Sequence, residues 1–113
     1  MNKQSDRFQL ESQLQWENPS QGVKRQIMGY DDSIMMVKVL FETGAVAALH
    51  QHIHSQVSYV ASGKFEVQAG DQKMTLSVGD GCYFEPDILH CVTCIEQGVI
   101  MDVFSPVRED FLK

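Results

Sequence analysis

The chain has 113 residues, 43% of them hydrophobic, and a formal net charge of −6. That length carries one core in one domain without disulfide support, and that charge argues against a nucleic-acid partner, whose counterions only basic patches displace. No apolar run approaches the length of a membrane span, and the polar start "MNKQSDRFQLESQLQ" has no apolar signal segment, so a cytoplasmic protein is expected.

Residues 1–15 read as a polar arm, loose or lent to a partner chain as a short strand or helix, and residues 16–113 as a single domain. From Val23 onward, short apolar runs alternate with turn residues. "VKRQIMGY" is followed by "DDS", "IMMVKVLF" by "ETG", "KFEVQA" by "GDQ" and "KMTLSV" by "GDG". "CYFE", "PDI", "LHCVTCI", "EQG" and "VIMDVFS" complete the series. Strands of this length at such regular intervals predict an all-β sandwich or barrel. Helix signals are nearly absent; the tail "PVREDFLK" has room for one turn starting at Pro106. A small jelly-roll barrel closes its edges and keeps a mouth for a ligand.

Between Gly44 and Gly63 the segment "HQHIHSQ" places His50, His52, His54 and Gln56 at alternate positions. On an extended strand those side chains share one face, which makes a metal site or a wet, polar sheet face. Imidazoles bind divalent first-row metals, and two at i, i+2 present neighbouring ring nitrogens to one ion. A third must then come from a distant strand. His90 is the remaining histidine, next to a turn containing Pro86. Taken alone, His90 reads as a hydrogen-bonded core or rim histidine rather than a ligand. Cys82, Cys91 and Cys94 sit in apolar surroundings and read as buried thiols; the lone pair in "CVTC" is weak evidence for zinc or redox chemistry.

Two stretches read together. Gly44 to Gly63 follows G-x5-H-x-H-x3-Q-x6-G, and "GDGCYFEPDILH" runs from Gly79 to His90. This arrangement resembles the two motifs of the cupin superfamily, and so implies a cupin-type double-stranded β-helix, a jelly-roll barrel. By position, the resemblance implies one divalent transition metal (nickel, zinc, manganese or iron) held by His50, His52, Gln56 and His90. His54 lies outside that spacing, and a bend after His52 turns it to solvent or into a supporting donor. Three departures stand out: Gln56 where Glu is usual, Glu85-Pro86-Asp87 in place of Pro-x-Gly, and Cys94 at the position often held by Asn. With three neutral imidazoles and a neutral amide, the ion keeps its double positive charge. That favours Lewis-acid work on an anion over oxygen chemistry.

The chain is also similar to a narrower group, the small KdgF cupins of pectin and alginate breakdown. Its telling pieces are "GVKRQIMGYDDSIMMVKVLFETGA", "HSQVSYVASGKFEV" and the tail "DVFSPVREDFL", with Ile53 where a Pro is expected between the histidines. The resemblance implies ring opening and tautomerisation of 4,5-unsaturated monouronates to linear 4-deoxy-5-keto uronates. It implicates Asp102, Phe104 and Arg108 beside the metal ligands. Asp102 and Phe104 share strand parity: either Asp102 lies on an exposed face with Phe104 covering a neighbour, or it faces inward, where a carboxylate between Met101 and Val103 is costly without a task. A guanidinium at position 108 suits a uronate carboxylate, although on sequence alone it reads as a solvated charge near Glu109 and Asp110. A homodimer is expected by analogy. Two other readings are a metal-dependent dioxygenase or polyketide-cyclase-like cupin, and a non-catalytic cupin that senses a sugar or effector.

Overall fold

A computed structural model describes residues 3–113. Its strands are β1 (Glu17–Ser20), β2 (Val23–Asp31), β3 (Ile34–Phe41), β4 (Val46–His50), β5 (Ser55–Ala69), β6 (Gln72–Leu76), β7 (Gly81–Phe84) and β8 (His90–Ser105). They form one antiparallel network in the order β1-β2-β3-β8-β5-β6, with β4 added to β8 and β7 to β5. This is the all-β architecture that the turn spacing predicts, in the jelly-roll form that the cupin resemblance implies.

β5 and β8 each serve two walls. Ser55 to Val60 pairs with the last third of β8 and with β7, whereas Phe65 to Ala69 pairs with the start of β8 and with β6. The register shifts repeatedly between Val60 and Phe65, opposite Glu96 and Gly98. Bulges there bend both strands from one wall to the other. The turn expected at "EQG" is therefore no break: β8 runs straight through it. Gly63 adopts φ +82°, and a Cβ on it would meet the backbone oxygens of Glu96 and Gln97 at 2.5 and 2.6 Å. A side chain there must push two backbones apart and hold a left-handed conformation. Gly63→Ala is expected to cost about 2–3 kcal/mol, read as a lowered midpoint in urea unfolding.

The core lies between the walls. Val37, Val39, Phe41, Ile100 and Phe104 come from one side, Phe65, Val67, Leu76 and Cys94 from the other. Phe41 and Phe65 meet edge to face at 5.2 Å across the middle. Residues 3–15 are docked on their own chain: Gln4 bridges Asp31, a 3-10 turn spans Glu11–Gln13, and fully buried Gln26 donates to the Glu11 carbonyl at 3.1 Å. The C-terminal turn spans Glu109–Leu112, three residues later than a start at Pro106. No helix among the described residues is long and apolar enough to cross a membrane.

Candidate metal centre and pocket

One end of the barrel gathers the polar residues. His50 closes β4 and is paired with His90, which opens β8; Gln56 lies near the start of β5. The strand carrying the histidines ends at His50, so His52 and His54 sit in a loop and their equal spacing does not set a common face. Three imidazoles nevertheless converge. Each of His50, His52 and His90 offers a ring nitrogen, all within 4.8 Å of one another, and ring centroids are 4.1 Å apart for His50–His90 and 4.9 Å for His52–His90.

Backbone carbonyls decide which nitrogen each ring presents. Nδ1 of His50 lies 2.6 Å from the Ala48 carbonyl, that of His52 3.1 Å from the His54 carbonyl, and that of His90 2.9 Å from the Ile88 carbonyl. A carbonyl only accepts, so each Nδ1 carries the proton and each Nε2 of a neutral ring keeps its lone pair. Burial lowers the pKa of His52, and takes that of His90 down to about 4, which keeps both neutral. Nε2 of His90 is buried with no hydrogen-bond partner among the described residues.

Gln56 completes the arrangement. Its amide nitrogen faces Ser58 Oγ at 3.0 Å and Asp102 Oδ1 at 3.3 Å, so its oxygen is the atom 2.9 Å from His52 Nε2. Two lone-pair atoms facing each other at that range repel without a cation between them. On an ion with bonds of about 2.1 Å at right angles, neighbouring donors lie about 3 Å apart. The donor set therefore fits a divalent metal, with nitrogen and amide-oxygen ligands that several first-row ions accept.

His54 stands outside this set: its Nε2 is 3.1 Å from the Val107 carbonyl, which ties the loop to the C-terminal segment. Asp87, at the usual glycine position, adopts φ 67°, the left-handed region that Asp tolerates better than most residues. Its N–H donates to the His52 carbonyl at 2.7 Å, so the Asp87 turn braces the histidine loop. Cys94 is buried, Cys82 and Cys91 partly so, and all three are free thiols; burial pushes Cys82 up to about 11. None joins the histidine cluster among the described residues.

Below the histidines lies a cavity of about 280 Å³ whose walls include Gln56, Asp102, Phe104, Arg108 and Phe111. Asp102 and Phe104 do share the inner face of β8. Asp102 receives a 2.6 Å hydrogen bond from Ser58 Oγ. Burial raises its pKa to about 6, against the pull of the Ser58 and Gln56 hydrogen bonds and the Arg108 charge. Arg108 binds Asp110 through Nε and Nη2 at 3.1 and 2.9 Å, yet lies 5.0 Å from the Phe104 ring centre and lines the cavity. Arg108 is therefore paired with Asp110 but is no solvated charge: its side chain is largely buried at the cavity wall. Ser58 and Phe111 were not singled out by the sequence; only the parity of Ser58 with Gln56 on β5 signalled it.

A jelly-roll whose mouth holds three histidines is the architecture of a cupin. Residues 37–104 match the family model described as Cupin domain, and the chain belongs to that family. Within it the chain is a KdgF-like cupin. It is 41% identical over 108 residues to the pectin degradation protein KdgF of Dickeya dadantii (strain 3937), covering 94% of this chain and 98% of that one. The structure of KdgF from a Halomonas species superposes with a TM-score of 0.89 at 33% identity, covering 95% of this chain and 99% of that one. An RmlC-like cupin from Shewanella frigidimarina NCIMB 400 gives 0.92 at 40% identity, with coverage of 96% and 97%.

Proposed function

We propose that this protein opens the ring of 4,5-unsaturated monouronates, the sugars left by pectin or alginate lyases, and tautomerises them to linear 4-deoxy-5-keto uronates. The observation that carries this reading is the inward, partly buried Asp102 bonded to Ser58 and Gln56 beside the histidine cluster, in a chain 41% identical to a pectin degradation protein. His50, His52, His90 and Gln56 are the proposed ligands of one nickel, zinc, manganese or iron ion. When bound, that ion supplies a Lewis acid for developing negative charge on oxygen.

The chain's own residues do the rest. Arg108 holds the carboxylate and fixes the sugar in the cavity. Asp102 accepts the C1 hydroxyl proton; the C1–O5 bond breaks as the C1 carbonyl forms, leaving an enolate at C5. The same carboxyl returns the proton to C4, so that C5 becomes a ketone and the net change is an isomerisation. Phe104 walls the pocket and keeps water off the enolate. No electron leaves or enters.

The test is the ultraviolet absorbance of the conjugated double bond in lyase-generated monomers. Metal-loaded protein is expected to accelerate its loss well beyond the spontaneous rate, without oxygen consumption. Bound metal with no acceleration rejects the reading, and oxygen uptake points to the dioxygenase alternative. Gln56→Glu supplies a second check. It neutralises charge at the ion and sets a second carboxylate where the amide now donates to Asp102. Metal affinity is expected to hold or rise while kcat falls at least about 10-fold.

The protein is further proposed to act as a homodimer in the cytoplasm. Ile34, Met36, Val57, Tyr59 and Tyr83 are exposed on the outer side of the β3-β8-β5-β7 wall, a surface suited to a second copy. Three free thiols suit a reducing compartment.

A further inference from the structure

Along β2, Val23 and Arg25 point into the barrel, whereas Gln26 is covered by residues of the N-terminal arm. Arg25 is thus an arginine on an inner face otherwise formed by Val37, Val39 and Phe41, and it lines the same cavity as His50, Gln56, His90 and Asp102. Such a placement is costly for a group with no task. Its Nε donates to Glu17 Oε1 at 2.7 Å, and its Cζ lies 3.9 Å from the Phe111 ring centre. Arg108 Cζ lies 4.2 Å from that same centre. Both guanidiniums therefore pack on the one Phe111 ring at the wall of this cavity.

The electrostatics reinforce this arrangement. The carboxylates that pair with the two arginines are the more exposed partners: side-chain exposure is 39% for Glu17 against 21% for Arg25, and 57% for Asp110 against 12% for Arg108. Water screens the acids at the rim more than the cations at the wall. Asp102 is the one acid among the described residues lining the cavity. A chain with net charge −6 therefore carries a cationic pocket. A guanidinium has five N–H donors; Arg25 spends Nε on Glu17, and its Nη groups bond to no other described residue.

We propose that Arg25 is a second anion-anchoring residue, which receives the substrate's carboxylate jointly with Arg108. The identity of the substrate rests on the ring-opening reading; the anion preference does not. The test uses metal-loaded wild type, Arg25→Met, which keeps the stem over Phe111, and Arg25→Lys, which keeps the charge without the fork. Galacturonate, an unreactive uronate, and neutral galactose are titrated calorimetrically, and turnover, metal content and melting temperature are measured alongside.

Wild type is expected to prefer galacturonate. Arg25→Met is expected to weaken that binding, and to raise KM for the unsaturated uronate, by about 10- to 100-fold, more than kcat falls, at unchanged metal content. Arg25→Lys recovers part of the loss. Should Arg25→Met lower only the melting temperature, with galacturonate affinity and KM as in wild type, Arg25 is a staple between Glu17 and Phe111 and the proposal is wrong. No preference for galacturonate over galactose in wild type overturns it equally. Arg25-dependent galacturonate binding without uronate turnover rejects the ring-opening reading and leaves the anchor standing.

Discussion

Asp102→Asn is expected to lower kcat on a 4,5-unsaturated monouronate by about 1,000-fold, with full metal content retained. The two side chains have the same shape, and Ser58 Oγ, 2.6 Å away, donates equally well to an amide oxygen. What changes is the ability to carry a proton. Burial drives the Asp102 carboxyl up to about 6, while the Ser58 and Gln56 hydrogen bonds and Arg108 restrain the rise. A group so balanced both accepts and releases a proton near neutral pH, as a step from a hydroxyl to C4 demands. An ion on the Gln56 oxygen lowers that value somewhat, because a nearby cation favours the carboxylate. The variant is also expected to melt at or above the wild-type temperature, since even a partly buried carboxylate is dearer than an amide in the same place. Loss of metal together with activity would make Asp102 structural. Unimpaired turnover would move the proton transfer to another group.

Much of the fold was legible because turns announce themselves locally. The β2–β3 and β5–β6 turns fall within "DDS" and "GDQ", and the strand interiors follow the apolar runs of β2, β3 and β6. The continuity of β5 and β8 was not legible. Gly63 and "EQG" look like breaks in sequence, but they are bulges at which a strand changes walls, and only the partner strand across them makes that visible. β1 was missed for a related reason: "ENPS" has no apolar alternation, and it is held by pairing with β2 and by the Arg25–Glu17 contact.

The site divides the same way. The resemblance to the two cupin motifs pointed to His50, His52, Gln56 and His90, which lie together in the fold, whereas strand parity within "HQHIHSQ" was a poorer guide, because the chain leaves the sheet after His50. The Glu85-Pro86-Asp87 departure is resolved by backbone conformation: Asp87 itself takes the left-handed φ of the missing glycine. Arg25 and Phe111 carry no signal in sequence. Their meeting with Arg108 depends on the C-terminal turn folding back over β2, a contact between the two ends of the domain.

The histidines can be tested apart from catalysis. His50 is exposed, so His50→Ala removes a proposed ligand with little effect on packing. His90 is buried against Phe84, stacked at 4.4 Å, so His90→Phe keeps an aromatic ring there and removes the orphaned Nε2. Losing a mere supporting partner of a ligand costs about 10- to 100-fold in metal affinity, so either variant is expected to lose at least about 100-fold. Thermal melts read this without substrate. An ion that binds only the folded chain at 100 times its Kd stabilises it by about 2.7 kcal/mol, and that rise should disappear in both variants. Added zinc or nickel is expected to raise the wild-type melting temperature and leave the two variants unmoved. If His50→Ala still takes up one ion tightly, His52, His90 and Gln56 suffice and His50 serves the mouth instead. If His90→Phe does so, the deepest nitrogen is not a ligand, and the lone pairs of His52 and Gln56 facing each other at 2.9 Å need another cation or a protonated ring to hold them.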